Sequence, residues 1–421
     1  MEFSKTPFSP TVEPARRARF ETFRSLQRNP NYRLYWGGAF LSNIGTWMQS
    51  LAQGWLVFQL TGSTFLLGAV SFAGSIPILF LSILGGALAD RVERRRLMIF
   101  TQTGMMLLAF TLAGLTFARV VTVWHIMTIA FLNGVVNAFN APVRQSLIAD
   151  LVPREDLQNA IALNSAQFQS SRILGPTFAG IALAAVGPAW CFLLNGISFL
   201  AVIGALFLVV VPPLPPRRPQ SMLHNVVEGL HYVWKEPTIF ALLMVAAVPA
   251  LFGQPYQPML PAVVSTVLHV GATGLGLLES AAGAGAVVGA LFVASLARTR
   301  RRGRIQLIML ALFGIALILF SQSRWLGISV ILVFVIGMAS MAYNSLNQTF
   351  LHSLVHDEMR GRVMSLLTLT TLGLQPLGAL QAGTVGQRFG VSTALLIGGI
   401  VCLSVSIVAT RARRAGLDEL V

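Results

Sequence analysis

Charge is what this sequence has least of. Asp, Glu, Lys and Arg make up only 11% of 421 residues, while 55% are hydrophobic and mean hydropathy is +0.71. A soluble chain of this size needs far more charge to cover its surface. An ordinary soluble enzyme, a disordered protein and a secreted disulfide scaffold are therefore excluded. Cysteine is nearly absent as well. Cys191 and Cys402 both sit in apolar runs, so neither a disulfide framework nor a metal site is expected of them. The six histidines, His125, His224, His231, His269, His352 and His356, share no metal-ligand spacing on one span. No G-x-S-x-G, H-E-x-x-H or G-x-x-x-x-G-K-[ST] occurs, so neither a hydrolase nor a nucleotide-driven pump is indicated. No cofactor is implied.

Long apolar runs are abundant. A helix needs about 20 apolar residues to cross a bilayer. Twelve such runs are found, near 34–60, 64–89, 97–117, 121–148, 159–185, 188–211, 237–268, 272–297, 304–322, 326–352, 361–388 and 391–411. The fold class expected is an all-α membrane protein. Residues 1–33 are polar and basic and lack a signal-peptide pattern. They read as a cytoplasmic arm, with either a short amphipathic helix near 19–28 or no order. Residues 212–236 form the longest loop and open with Pro212-Pro213-Leu214-Pro215-Pro216-Arg217-Arg218-Pro219. They divide a six-span half, 34–211, from a second, 237–411. A short tail, 412–421, follows.

The bases, 30 against 15 acids, are placed unevenly. Arg119, Arg324 and Arg388 fall in loops of one parity, and Arg144 and Arg172 within spans. The remaining 25 lie in the arm, the tail and loops of the opposite parity. The positive-inside rule assigns that side, with both termini, to the cytoplasm. Because the basic charge alternates loop by loop, it builds no single patch for nucleic acid. The lipid bilayer is the partner implied, at the cytoplasmic (inner) membrane of a bacterium.

The halves superpose at an offset of 203. Gly86-Ala87-Leu88 falls on Gly289-Ala290-Leu291, Phe131 and Gly134 on Phe334 and Gly337, Leu151-Val152 on Leu354-Val355, Glu155 on Glu358, and Leu163 on Leu366. Two six-helix halves in parallel relation form a transporter architecture with its site near the midplane between them.

Between the second and third spans stands Gly85-Gly86-Ala87-Leu88-Ala89-Asp90-Arg91-Val92-Glu93-Arg94-Arg95-Arg96. This resembles the loop motif G-x-L-A-D-R-x-G-R-R of the major facilitator superfamily, with Glu93 where the pattern prefers Gly. Gly86 is expected to let helices approach closely. Asp90, Arg91, Arg94 and Arg95, with Asp150 as the acid in reach, are expected to form a conformational latch; simple anchoring by positive charge is the other reading. The second-half loop, Ala297-Arg298-Thr299-Arg300-Arg301-Arg302, has no Asp, so a latch would be one-sided.

The resemblance narrows over Arg28-Asn29-Pro30-Asn31-Tyr32-Arg33, Ser42-Asn43-Ile44-Gly45-Thr46-Trp47-Met48-Gln49, Val152-Pro153-Arg154-Glu155-Asp156-Leu157 and Arg360-Gly361-Arg362-Val363-Met364-Ser365. It points to the branch that includes enterobactin exporters, the transmembrane secretion effectors, and covers residues 28–410. The resemblance implies a major facilitator fold of twelve helices in two six-helix bundles. It also implies export of a siderophore- or drug-like small molecule by proton antiport. Import, or sensing without transport, is the alternative. Arg172-Ile173-Leu174-Gly175-Pro176-Thr177-Phe178-Ala179-Gly180 partly matches an antiporter motif, with Gly175 and Pro176 expected to kink the helix and pack closely.

Proton coupling needs a group that can change charge inside the membrane. Fourteen of the fifteen acids lie in loops, tails or helix ends, and only Glu279 is flanked by long apolar sequence. It is the candidate proton carrier; a structural ion pair or a shallow outer position are its other readings. Arg172 either lines the substrate cavity or forms an internal salt bridge. Asn43, Gln49 and Gln53 in the first span, Asn133, Asn137 and Asn140 on one face of the fourth, Gln254 and Tyr256 in the seventh, and Asn344, Asn347 and Gln348 in the tenth concentrate polarity in four equivalent spans. The resemblance says these four line the cavity. Trp47, Phe139, Phe168 and Tyr256 offer aromatic contact. The segment Pro249–Pro258 cannot be regular helix throughout. A monomer suffices for such a mechanism.

Overall fold

A computed structural model describes residues 22–89, 92–210, 230–296 and 302–414. Asp90 and Arg91, most of the arm, most of the central loop, the Ala297–Arg301 part of the second-half loop and the end of the tail lie outside them. The described residues contain helices and no strand. In order these are α1 (Arg24–Arg28), α2 (Pro30–Thr61), α3 (Thr64–Ala89), α4 (Arg94–Phe117), α5 (Val123–Leu151), α6 (Arg154–Ala185) and α7 (Pro188–Leu208). The second half holds α8 (Pro237–Val248), a π-turn (Pro249–Gly253), α9 (Tyr256–Thr266), α10 (Ala272–Ser295), α11 (Arg302–Gln322), α12 (Leu326–Leu354), α13 (Asp357–Phe389) and α14 (Val391–Arg414).

Ten helical segments among the described residues, counting α8 to α9 as one, are long and apolar enough to cross a membrane. The chain is a multi-pass membrane protein. The α2 and α6 helices have the length, 32 residues each, but are more polar. The α2 helix carries Asn43, Gln49 and Gln53; α6 carries Arg154, Glu155, Asp156 and Arg172.

Helix ends follow local chemistry. Pro30, Pro188 and Pro237 occupy first helical positions, where a missing N–H is harmless. The α2 helix thus begins inside the stretch expected as arm. Thr122 caps α5 in a reciprocal box with His125. Gly187 and Gly390, 203 positions apart, both take φ +87° immediately before α7 and α14. Only glycine adopts that conformation without strain. The starts of α5 and α12, of α6 and α13, and of α7 and α14 keep the same spacing of 203.

Packing repeats too. The α3 helix lies on α5 as α10 lies on α12, and α4 on α7 as α11 on α14. Membrane helices approach closely where small residues meet. A Cβ at Gly134 would collide with the Gly74 carbonyl, and one at Gly337 with that of Ala282. At the second-span motif the close contact belongs to Gly85, which abuts Ala138 and Phe139. A Cβ at Gly86 would meet nothing within 4 Å, so the close approach expected of Gly86 falls one residue earlier.

The short helix expected near 19–28 is α1, 24–28, and it is docked. Arg24 Nε lies 2.8 Å from Asp156 Oδ1, and Asn29 Nδ2 donates to Asp156 Oδ2 at 3.0 Å. Ser25 Oγ donates to the Asp156 carbonyl at 2.9 Å.

Two seams join the chain halves, α3 against α13 and α6 against α10. Both tighten toward the end bearing the short turns at Gly62, Gly187 and Gly390. A Cβ on Gly276 would stand 2.6 Å from the Pro176 carbonyl oxygen and 2.8 Å from Gly180 Cα. Gly68 faces the Ala379 carbonyl, and Gly383 the Thr64 carbonyl. All hydrogen bonds between the halves among the described residues lie here: Ser63 Oγ to Gln387 Oε1 (2.8 Å), Thr64 Oγ1 to the Gly383 carbonyl (3.0 Å), Thr177 Oγ1 with Ser280 Oγ (2.8 Å) and Ser280 Oγ to the Ile173 carbonyl (3.2 Å). Toward the opposite, Arg-rich end, the ion pairs found among the described residues stay within one half.

Candidate functional site

Three polar cavities adjoin one another along the bundle interior. The first, ≈ 340 Å³, lies within the first half. The polar face of α5 delivers Asn133, Asn137 and Asn140 to it, and α2 delivers Asn43, Gln49 and Gln53. Gln49 is anchored, its Oε1 accepting from Asn195 Nδ2 at 2.7 Å. The second cavity, ≈ 270 Å³, lies between the halves. It shares Ser50, Gln53, Val70, Ser71 and Ser75 with the first and includes Trp47, Gln254 and Glu279. The third, ≈ 280 Å³, lies in the second half, lined by Asn344, Asn347 and Gln348, and shares Gln254 and Gln375 with the second.

Gln254 owes its position to the π-turn. Its backbone N–H reaches back five residues to the Pro249 carbonyl at 2.8 Å. Its side-chain nitrogen donates to Ser340 Oγ at 2.7 Å and to Tyr343 OH at 3.3 Å. The irregular segment expected in the seventh span is this turn.

Charge in the cavities is sparse and of opposite sign. Among the described residues, Arg144 is the charged residue lining the first cavity and Glu279 the one lining the second. Glu279 stands seven residues into α10, roughly 10 Å from its start at 1.5 Å per residue. No ion pair within 4.0 Å holds it among the described residues, although the field of Arg172 reaches it. The internal salt bridge between these two is therefore not formed in this conformation.

Arg172 instead lies over the Trp47 ring, 5.8 Å from its centroid, with its buried Nε unpartnered. It stands behind Trp47, outside the residues that line the three cavities. Tyr256 also departs from its expected place at the cavity. It is 2% exposed and packed in the main apolar core, because it opens α9 directly after the π-turn has shifted the helix register. Asn43, Gln49, Gln53, Asn137, Gln254 and Asn344 all line cavities.

At the Arg-rich end, Arg94 Nη1 donates to both oxygens of Asp150, at 2.8 and 2.7 Å. Arg95 pairs with no acid among the described residues. It caps the C-terminal end of α7, donating to the Leu206 and Phe207 carbonyls at 2.7 and 2.9 Å. Asp90 and Arg91 lie outside the described residues. The α6 helix runs through Gly175-Pro176 unbroken, and Gly175 is pressed against Trp47 and Ile44 of α2.

Arg144, Tyr35, Gln102 and Gln375 line the cavities although none of them is expected there from the sequence. Arg144 was legible: it follows Asn140 by four residues, hence on the same helical face. Tyr35 and Gln102 carried no such signal, because their polar ends turn inward only through the packing of α2 and α4.

Residues 22–420 match the model of the transmembrane secretion effector family. The chain is 26% identical over 382 residues to the staphyloferrin A transporter of Staphylococcus aureus, covering 89% of this chain and 94% of that one. It is 25% identical over 402 residues to the enterobactin exporter EntS of Shigella boydii, covering 92% and 95%. A structure of a bacterial homologue of the human lysosomal transporter Spinster, in an inward-facing and occupied conformation, superposes with a TM-score of 0.70. There the identity is 14%, and 92% and 97% of the two chains are covered. The chain belongs to the transmembrane secretion effector family, a family of major facilitator transporters.

Proposed function

We propose that this protein is a secondary active exporter of a siderophore- or drug-like small molecule, driven by proton entry through alternating access. The observation that carries the reading is the carboxylate of Glu279, facing a cavity between the chain halves with no ion pair among the described residues. Such a group is expensive in a membrane interior and marks an ion or substrate path. The seams closed at the short-turn end, with cavities reaching toward the Arg-rich end, correspond to an inward-facing state. In this reading all twelve long helical segments cross the membrane as two six-helix bundles, 34–211 and 237–411. The arm, central loop and tail lie in the cytoplasm. The polar α2 and α6 are tolerated because their polar faces meet cavities rather than lipid. The relative named as an enterobactin exporter supports the direction of transport.

Glu279 exchanges a proton as the cavity changes sides. Arg172, held on Trp47, supplies the positive field against which the carboxylate is charged or neutral. The Arg94–Asp150 pair braces α4 and α5 at the cytoplasmic end; Asp90 and Arg91 complete the latch. A single chain performs the cycle.

The test uses purified protein in liposomes with an imposed pH gradient, an internal pH reporter, and a panel of siderophores and amphiphilic drugs. Substrate-dependent proton flux in the wild type that disappears in Glu279→Gln is the expected result. Flux unchanged in Glu279→Gln moves the coupling site elsewhere. Uptake of substrate with the proton, rather than against it, overturns export in favour of import.

A further inference from the structure

The first cavity holds a positive charge that no ion pair among the described residues balances. Arg144 lines it and has no ion pair or hydrogen bond among the described residues. Its guanidinium lies over the Phe168 ring, 5.9 Å from the centroid. Among the described residues, no acid lines this cavity. Of the described acids near the same end, Asp150 is engaged by Arg94 and Asp156 by Arg24.

Around Arg144 the wall is built for hydrogen bonding and incompletely satisfied. Tyr35 is 1% exposed, lines the cavity, and its hydroxyl has no partner. That hydroxyl lies within the field of Arg144. Gln102, 6% exposed, also lines it with an unpartnered Oε1. Its amide nitrogen is held by Asn140 Oδ1 at 3.3 Å. Buried polar groups are normally paired, and those left open mark a missing partner. An unpaired cation within a membrane protein is tolerated where a water-filled cavity or an anion meets it.

We infer that this cavity is an anion subsite that takes a carboxylate of the transported molecule, with Arg144 as its counter-charge and Tyr35 as hydrogen-bond donor. A guanidinium pairs bidentately with a carboxylate, and such charge-assisted bonds are the strong ones. The five residues shared with the cavity between the halves let one molecule place its body near Trp47 and Glu279 and its carboxylate at Arg144. The inference rests on the exporter reading only in assigning the anion to the cargo. Glu279 and the carboxylate then occupy separate cavities, so the acidic cargo and the proton site need not repel each other at contact.

The probes are 7-methoxycoumarin-3-carboxylate and its carboxamide, two fluorophores of nearly equal shape that differ in one negative charge. Binding to detergent-purified full-length protein is measured by equilibrium dialysis. The wild type is expected to bind the acid roughly tenfold or more tighter than the amide, the scale of one charge-assisted hydrogen bond. Arg144→Gln is expected to erase that preference, bringing acid affinity to that of the amide. Arg144→Lys keeps part of it, and Tyr35→Phe lowers acid affinity by a smaller factor. Equal binding of acid and amide by the wild type overturns the subsite, as does a preference that survives Arg144→Gln. Should Arg144→Gln fail to fold, wild-type acid affinity in both Arg144→Lys and Tyr35→Phe overturns it equally. Flux of the same acid in liposomes separates the two readings. Acid bound through Arg144 but never carried sinks the exporter and leaves the subsite standing. Proton-coupled transport without acid preference does the reverse.

Discussion

The Arg172 guanidinium rests on the face of Trp47, 5.8 Å from the ring centroid, and the same indole meets Phe168 edge-on at 5.8 Å. Phe168 in turn carries Arg144 at 5.9 Å. Two cations are thus bridged by two aromatic rings drawn from α2 and α6; Arg144 lines the first cavity, whereas Arg172 lines none of the three. A cation on an aromatic face gains about 0.5–2 kcal/mol, most where water is excluded. Trp47→Leu is expected to destabilise the protein by about 1 kcal/mol. Arg172→Gln is expected to lower transport about tenfold, as loss of one charged interaction does. Arg172→Lys keeps the charge but loses the planar stack and falls between. Liposome flux with unfolding titrations of the same variants checks this; full transport in Arg172→Gln removes Arg172 from the mechanism.

Ser63 and Gln387 tie the two halves together at 2.8 Å on the short-turn side. Cysteines at both positions, joined by a short bifunctional thiol reagent, are expected to stop transport by preventing that side from opening. The native Cys191 and Cys402 are both 0% exposed and leave a quiet background. Flux that persists through complete cross-linking shows that this side never parts during the cycle.

Arg94 and Asp150 are largely buried, with side-chain exposures of 14% and 5%. Removing one partner strands the other, and such losses run to about 3–5 kcal/mol. Arg94→Gln and Asp150→Asn should each approach that range, and the double variant should lose clearly less than the sum. A coupling energy above about 1 kcal/mol from unfolding titrations in detergent is the expected result. Additive losses would mean that the pair contributes nothing as a pair. Because it joins α4 to α5 within one half, its role in switching must act through the tilt of that half.

Much of the architecture was open to reading because it depends on local signals. The offset of 203 reappears in helix starts and in the paired left-handed glycines, Gly187 and Gly390, since turns and caps are set by residues close in sequence. Rotation about a helix axis is a different matter. Whether Gly85 or Gly86 touches a neighbour depends on roughly 100° of azimuth, which α5 decides. Tyr256 went from expected cavity residue to core for the same reason. The π-turn inserts one extra residue and turns every following side chain by that angle. Arg95 reached a helix end instead of an acid because its partner, α7, lies more than a hundred residues away. The cavity polarity of α2, α5, the π-turn segment and α12 was legible, being written as repeated Asn and Gln. Arg144, the single arginine among them, shares the face of Asn140 by its spacing of four.

The seams between the halves have a further meaning. Where Gly180 meets Gly276, and Gly68 and Gly383 meet each other's helices, backbone slides on backbone with few side chains interleaved. Surfaces of that kind separate without unlocking bulky knobs or stripping charges of their partners. The strong couplings, by contrast, are confined within each half. In the exporter proposed above, the molecule would turn as two stiff bodies with a smooth bearing between them. A single large side chain at Gly276 would act as grit in that bearing.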